Sequence, residues 1–154
     1  MTTALSRKER VGLRLHRTLD KRFSRLSVAL FRRTAGGITE RAGVDGLVLT
    51  TTGRKSGKQR SVLLQYFRDG EDMLLVAADG GAAQHPGWYH NLVAQPAAAV
   101  DVRGDSIPVL AERVGETEVE DLWRRILERS PSYERYLRAT DRAIPLVRLR
   151  RRSA

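Results

Sequence analysis

Between residues 46 and 78 the sequence alternates short apolar, β-branched runs with connections too short for a crossover. Gly46-Leu47-Val48-Leu49-Thr50-Thr51-Thr52 is followed by the loop of residues 53–60, a second run over residues 61–68, the dipeptide Asp69-Gly70, and a third run over residues 73–78. A parallel strand pair needs a crossover of roughly a dozen residues or more, so strands joined this closely pair antiparallel. A parallel dinucleotide-binding sheet is therefore a poor fit. Two more runs, 97–102 and 106–114, meet through Arg103-Gly104-Asp105. A short helix over residues 86–94 lies between them and the third run, with Pro86 near its first turn and Trp88, Leu92 and Tyr89 facing inward. Five antiparallel strands with an inserted helix predict an α+β chain built on a small barrel or a strongly bent sheet.

Helices flank this sheet. Val11, Leu15, Leu19, Phe23, Leu26 and Leu30 recur at helical spacing on one stripe, with Arg10, Arg14, Arg17, Lys21, Arg22 and Arg25 mostly off it. That pattern predicts an amphipathic helix over about residues 5–33, ended by Gly36-Gly37. Two readings stay open: the stripe packs on the rest of the domain, or it lies on anionic lipid or a partner. No helix-turn-helix pattern follows it. Toward the other end, Thr117 with Glu120 three residues on reads as a capping box. Leu122, Trp123, Ile126 and Leu127 give that helix its apolar face. Tyr133 and Tyr136 share a face at i, i+3, and Pro145 opens an extended tail. The expected division is a basic amphipathic helix over 1–41 and a domain built on the sheet over 42–154.

The net charge of +10 invites a nucleic-acid reading, but its placement weakens it. Residues 1–41 hold 11 basic and 3 acidic residues, residues 142–154 hold 5 basic and none acidic, and the hundred between hold 12 basic and 15 acidic. The central domain is slightly acidic, so no nucleic acid is expected as a partner. With no cysteine, a disulfide scaffold, a thiolate metal site and a cysteine nucleophile are excluded. The longest apolar run is the six residues 73–78, far short of a membrane span. No apolar block of signal-peptide length opens the chain, and a cytoplasmic location is expected.

The strongest chemical signal is Gly53-Arg54-Lys55-Ser56-Gly57-Lys58-Gln59-Arg60, with four cations, two glycines and no acid. Glycines let successive backbone N–H groups converge on an anion, and Arg54, Lys55, Lys58 and Arg60 neutralise a phosphate or polycarboxylate. The same composition also suits a solvated hairpin turn. It is not a Walker A loop, because the glycine spacing is short and Gln59 replaces the magnesium-binding hydroxyl. His85 and His90, five apart, are poorly spaced as two ligands on one helix face, and no metal is expected. Tyr133 and Tyr136 either pack in the core or line a flat ligand and donate a proton.

Thr50-Thr51-Thr52-Gly53-Arg54-Lys55-Ser56-Gly57, then Val76-Ala77-Ala78-Asp79-Gly80-Gly81, then His85-Pro86-Gly87-Trp88-Tyr89-His90-Asn91-Leu92 with Pro96, then Tyr133-x-x-Tyr136 with Thr140-Asp141-Arg142-Ala143-Ile144-Pro145-Leu146-Val147-Arg148-Leu149, stand in the order and spacing of one family. The chain resembles the deazaflavin-dependent nitroreductase family, the F420-dependent split-barrel oxidoreductases of actinobacteria. The resemblance implies a split β-barrel that binds coenzyme F420, a deazaflavin with a phosphate and an acidic polyglutamate tail. It implies that Arg54, Lys55, Ser56, Gly57 and Arg60 hold the phosphate and nearby tail. Val76, Ala77, Ala78, Asp79 and Gly80 would run their backbone along the ring, and Trp88 and Asn91 would help close the groove. It further implies hydride transfer to a quinone, enone or nitroaromatic acceptor, with Tyr133 and Tyr136 lining the acceptor site as proton donors.

Ala78 stands where some relatives have serine, and Ser130 where some have tyrosine. Those departures touch nitro-prodrug reduction and leave cofactor binding intact. The alternatives are an FMN- or haem-binding split barrel and an F420-binding protein without turnover. Peripheral association with the inner membrane face, where quinones dissolve, fits the N-terminal helix.

Overall fold

The computed structural model describes residues 25–153. Residues 25–33 form helix α1, and Gly37–Arg41 a single turn, α2. Strand β1 (Gly46–Thr52) leads to β2 (Gln59–Gln65), β3 (Phe67–Asp69) and β4 (Asp72–Val76). Helix α3 (Gly87–Ala94) precedes β5 (Ala97–Val102) and β6 (Asp105–Arg113). Helices α4 (Glu116–Arg129) and α5 (Tyr133–Ala139) follow, and β7 (Leu146–Arg151) ends the fold. The seven strands form one sheet in the order β2-β1-β5-β6-β7-β4-β3, and every pairing is antiparallel.

The two outermost strands, β2 and β3, are separated in sequence by Tyr66 alone. One residue spans at most about 3.5 Å, so a seven-strand sheet with these edges cannot lie flat. It must curl until its ends meet, which makes the split β-barrel. The single expected strand over 61–68 is therefore two strands, broken where Tyr66 donates its N–H to Asp45 O (2.9 Å). The β5–β6 turn takes positive φ at Arg103 (49°) and Gly104 (86°), as a two-residue hairpin requires.

Alternation along each strand sorts the apolar residues into three clusters. Leu47, Leu49, Met73, Leu75, Val100, Val109, Val147 and Leu149 fill the barrel with Tyr66, Tyr89 and Leu92. On the outer face, Leu74 and Leu146 meet Leu122 and Ile126 of α4, while Val48 meets Val28 and Phe31 of α1. Strands β1, β4 and β7 are thus buried on both faces, which accounts for their continuous apolar runs.

Two expectations need correction, and one open reading is narrowed. The tail after Pro145 is a central strand, β7, hydrogen-bonded between β6 and β4. Leu146, Val147 and Leu149 are buried because each face of that strand meets a different cluster. Thr117 does not cap α4: the helix already begins at Glu116, after extended Gly115, with no side-chain cap. Of the apolar stripe of the first helix, only the last two residues are described, and they stay exposed. Val11, Leu15, Leu19 and Phe23 lie outside the described residues. Leu26 and Leu30 are 67% and 43% exposed, whereas Val28 and Phe31 are buried on β1. Arg32 fastens that inner face, donating to Asp101 (2.9 Å) and, at 3.4 Å, to the Thr50 and Ser61 hydroxyls.

Arg148, on β7, joins four elements. Its guanidinium donates to Glu118 (2.7 Å), to Asp69 (3.0 and 3.2 Å) and to Glu112 (3.3 Å), and its side chain is only 11% exposed. The hydrogen bond to Glu118, followed by those to Asp69 and Glu112, holds it still more firmly protonated than an ordinary arginine. Arg148→Ala leaves these carboxylates facing one another and should lower the unfolding free energy by about 2–3 kcal/mol. Arg150→Ala, at a 57% exposed ion pair, should cost under about 0.5 kcal/mol. Urea unfolding of both variants checks this ordering; equal effects would contradict it.

Candidate functional site

The curl of the sheet leaves an open groove of about 1740 Å³ between α1, the β1–β2 loop, the start of α3, the turn after β4, and α5. Arg54, Lys55, Ser56, Arg60, Val76, Ala78, Asp79, Gly80, Trp88, Asn91, Tyr133 and Tyr136 all line it. Two expected site residues do not form its wall. Ala77 is fully buried in the barrel core, and Gly57 sits in the outer bend of the loop with φ 68°.

The basic loop is a closed turn. Gly53 N–H donates to Lys58 O (2.7 Å) and Gly57 N–H to Gly53 O (2.8 Å). A Cβ on Gly53 would lie 2.8 Å from Ser56 Oγ and 3.1 Å from Lys58 O, so the first glycine is required by space. Asn91 anchors the loop from α3. Its Nδ2 donates to Thr51 Oγ1 (3.0 Å), and its Oδ1 accepts from Arg54 N–H (3.1 Å). Lys58 N–H is taken by Ser56 Oγ (3.2 Å). The turn therefore uses the N–H groups of residues 53, 57 and 58 internally and gives that of Arg54 to Asn91, while those of Lys55 and Ser56 carry no hydrogen bond among the described residues. Arg54, Lys55, Lys58 and Arg60 have no acidic partner there either. Four exposed cations with no carboxylate near them concentrate positive potential at one end of the groove.

The turn after β4 is left-handed. Asp79, Gly80 and Gly81 have φ of 46°, 62° and 80°. Gly81 N–H returns to Ala78 O (2.9 Å). A Cβ on Gly81 would lie 2.6 Å from Ala139 Cβ and 3.1 Å from Tyr136 O, so only glycine lets α5 approach this corner. That approach brings Tyr136 over the groove. A Cβ on Gly80 would meet nothing within 4 Å, which leaves the groove side of the corner open to a flat ligand.

Tyr133 and Tyr136 meet edge to face, with ring centroids 5.3 Å apart. Tyr133 O–H donates to Gln65 Oε1 (3.3 Å), and Gln65 Nε2 donates to Ser130 Oγ (3.1 Å). Burial, and then the neighbouring Tyr136, push the Tyr133 phenol up to about 12. Tyr133 therefore stays protonated throughout the neutral range. Gln65 was not legible as a site residue, because nothing in its spacing marks it. Arg142 was missed as well. It donates to the carbonyls of Ala77 (3.1 Å), Ala78 (2.8 Å) and Ala82 (2.9 Å) and contacts His85 Nδ1 (2.9 Å).

The folded protein holds the Tyr133 proton more tightly than the unfolded chain, whose tyrosines ionise near 10. Its share of stability is intact below pH 10 and is lost as pH rises toward 12. An ultraviolet phenolate titration should show one tyrosine ionising near 12, and Tyr133→Phe should remove that step. A late step that survives the substitution would contradict the burial of this phenol.

Comparison with known proteins finds relatives in sequence and in fold. The sequence matches the family of F420H(2)-dependent quinone reductases over residues 23–150. An F420H(2)-dependent quinone reductase of Mycobacterium tuberculosis is 37% identical over 143 residues, covering 90% of this chain and 96% of the relative. Among solved structures, an F420-H2 dependent reductase (FDR-A) is 34% identical with a TM-score of 0.62, over 69% of this chain and 94% of that one. A heme binding protein from Mycobacterium smegmatis, at 17% identity and a TM-score of 0.55 over 74% of this chain and 49% of that one, shares the fold alone.

Proposed function

The chain belongs to the F420H(2)-dependent quinone reductase family and is an F420-dependent reductase, and from that premise we propose that it reduces quinones in the groove described above. The observation that carries this reading is one groove with unpaired cations at one wall and two phenols at another, one of them, Tyr133, held protonated by burial. The residues present fit coenzyme F420. Arg54, Lys55 and Arg60 suit its phosphate and tail carboxylates, and the open left-handed corner at Asp79–Gly81 leaves room for a flat ring. A single FMN phosphate would use less positive charge than this loop offers. Bound there, the reduced deazaflavin supplies a hydride.

The protein's own part is orientation and a proton. Asn91 fixes the loop, Gly81 admits α5, and the two phenols of α5 stand over the groove. Tyr133 and Tyr136 orient the acceptor and supply the proton that its reduced oxygen takes up. Enones fit the same chemistry, since they also carry a carbonyl oxygen that gains hydrogen bonding as hydride arrives. Nitroaromatics come last in this order, because Ala78 lacks the hydroxyl that some relatives carry there and Ser130 is much shorter than their tyrosine.

The exposed Leu26 and Leu30, on the outer face of a helix that carries Arg25 and Arg33, support peripheral attachment to an anionic inner membrane surface. No helix of the described residues is long and apolar enough to cross a membrane. Such attachment would give the groove access to lipid-dissolved quinones.

Anaerobic oxidation of F420H2 by menadione tests the proposal. Turnover is expected, and replacing Tyr133 and Tyr136 together by phenylalanine should lower kcat/KM by about 100-fold while F420 affinity stays near that of the parent. No oxidation with menadione or other quinones, despite F420 binding, would identify a cofactor-holding protein without turnover.

A further inference from the structure

Arg142 lies on the segment between α5 and β7, outside the groove, yet it fixes the backbone that forms one groove wall. Its Nη2 donates to both Ala77 O (3.1 Å) and Ala78 O (2.8 Å), and its Nε donates to Ala82 O (2.9 Å). Three carbonyls on either side of the left-handed corner are thus turned onto one guanidinium. In a trans peptide the carbonyl and the following N–H point in opposite directions. None of the described peptide bonds is cis. Turning Ala77 O and Ala78 O toward Arg142 therefore aims the N–H groups of Ala78 and Asp79 away from it. Ala78 and Asp79 line the groove and Arg142 does not. The Ala78 N–H makes no hydrogen bond among the described residues.

The fourth contact of Arg142 sets a condition on this arrangement. Nη1 lies 2.9 Å from His85 Nδ1. Arginine has only donors, so Nδ1 must be the unprotonated, accepting nitrogen of the ring. The His85 ring also faces Tyr89 (4.8 Å between centroids) and His90 (5.8 Å), and it feels the charges of Arg142 and Arg113. Asp79 is the acidic group that acts on Arg142. Protonating His85 would set a cation against the Arg142 guanidinium.

We propose that Arg142 is a positioning residue for the cofactor ring, acting through the Ala77–Ala78–Asp79 backbone, and that neutral His85 holds it in place. The inference rests on the reading of the groove as the F420 site. It assigns Arg142 no contact with the cofactor; its effect is to present the oriented Ala78 N–H to the polar edge of a flat heterocycle. Burial, then Arg142, His90 and Arg113, pull the His85 pKa below the usual 6.5. The tie is therefore intact above pH 6.5 and is lost as pH falls through the lowered value.

The test is a fluorescence titration of the full chain with oxidised F420, and with its tail-free deazaflavin riboside, across pH 5–8. Thermal stability is measured alongside. Arg142→Lys keeps the charge but offers one ammonium for three carbonyls. It should weaken both ligands by about tenfold at pH 7.5, and the absorption change of the ring on binding should shrink with it. His85→Asn places an amide oxygen where Nδ1 accepts. It should keep the parent's affinity at pH 7.5 and lose the parent's extra weakening in acid, a difference that titration of the ligand itself cannot produce. His85→Phe removes the acceptor and should behave like Arg142→Lys. If Arg142→Lys folds poorly, the two His85 variants decide the matter. Parent-like affinity in Arg142→Lys and His85→Phe, or an unchanged acid profile in His85→Asn, would overturn the inference and leave the F420 reading standing. No F420 binding by the unsubstituted protein would refute that reading and this inference together.

Discussion

The join at Tyr66 constrains everything else in this protein. It links the first and last strands of a seven-strand sheet through a single residue, so the sheet has to curl. Curling buries both faces of β1, β4 and β7. Leu47 and Leu49 face the barrel interior while Val48 faces α1, and Val147 and Leu149 face the interior while Leu146 faces α4. The same curl keeps β2 at an open edge, beside the loop that carries the cations. The groove is the part of the barrel that the curl leaves uncovered.

Polar contacts then divide into two kinds. Some hold the barrel: Arg148 ties β7 to β3, β6 and α4, and Arg32 ties α1 to β1, β2 and β5. Each of these arginines has a carboxylate partner. Others shape the groove. Asn91 spends both ends of its amide on Thr51 and on the loop, and Arg142 turns the backbone of the left-handed corner. Arg54, Lys55, Lys58 and Arg60 are different, since no carboxylate of the described residues meets them. Unpaired cations gathered on one rim are costly to leave together. An anionic ligand would remove that repulsion, which supports the proposal that the cofactor's phosphate binds beside the loop.

Much of this was legible in the sequence where the governing contacts are local. Short turns forced antiparallel pairing, and Arg103-Gly104 placed a hairpin. The glycine and cation pattern of residues 53–60 singled out a loop that the structure places at the rim of the groove. What depended on distant partners was not legible. Leu146, Val147 and Leu149 look like an arginine-rich tail until β4 and β6 are placed on either side of them. The leucine stripe of the first helix looks like a core face, yet Val28 and Phe31 reach the barrel instead and Leu26 and Leu30 stay outside. Gln65 and Arg142 are ordinary residues by composition. Their roles come from Tyr133, 68 residues away from Gln65, and from Ala77 and Ala78, more than 60 residues before Arg142.

The central claim is that the cation loop anchors F420 in the groove. A fluorescence titration of F420 against the parent protein and Arg54→Ala/Lys55→Ala, with FMN as the competing ligand, tests it most directly. Tight binding of F420, weak binding of FMN, and at least about tenfold loss of F420 affinity in the double variant are expected, since a charge-assisted contact is worth roughly 1.5–3 kcal/mol. Unchanged F420 affinity in the double variant, or tight binding of FMN with none of F420, would contradict the account.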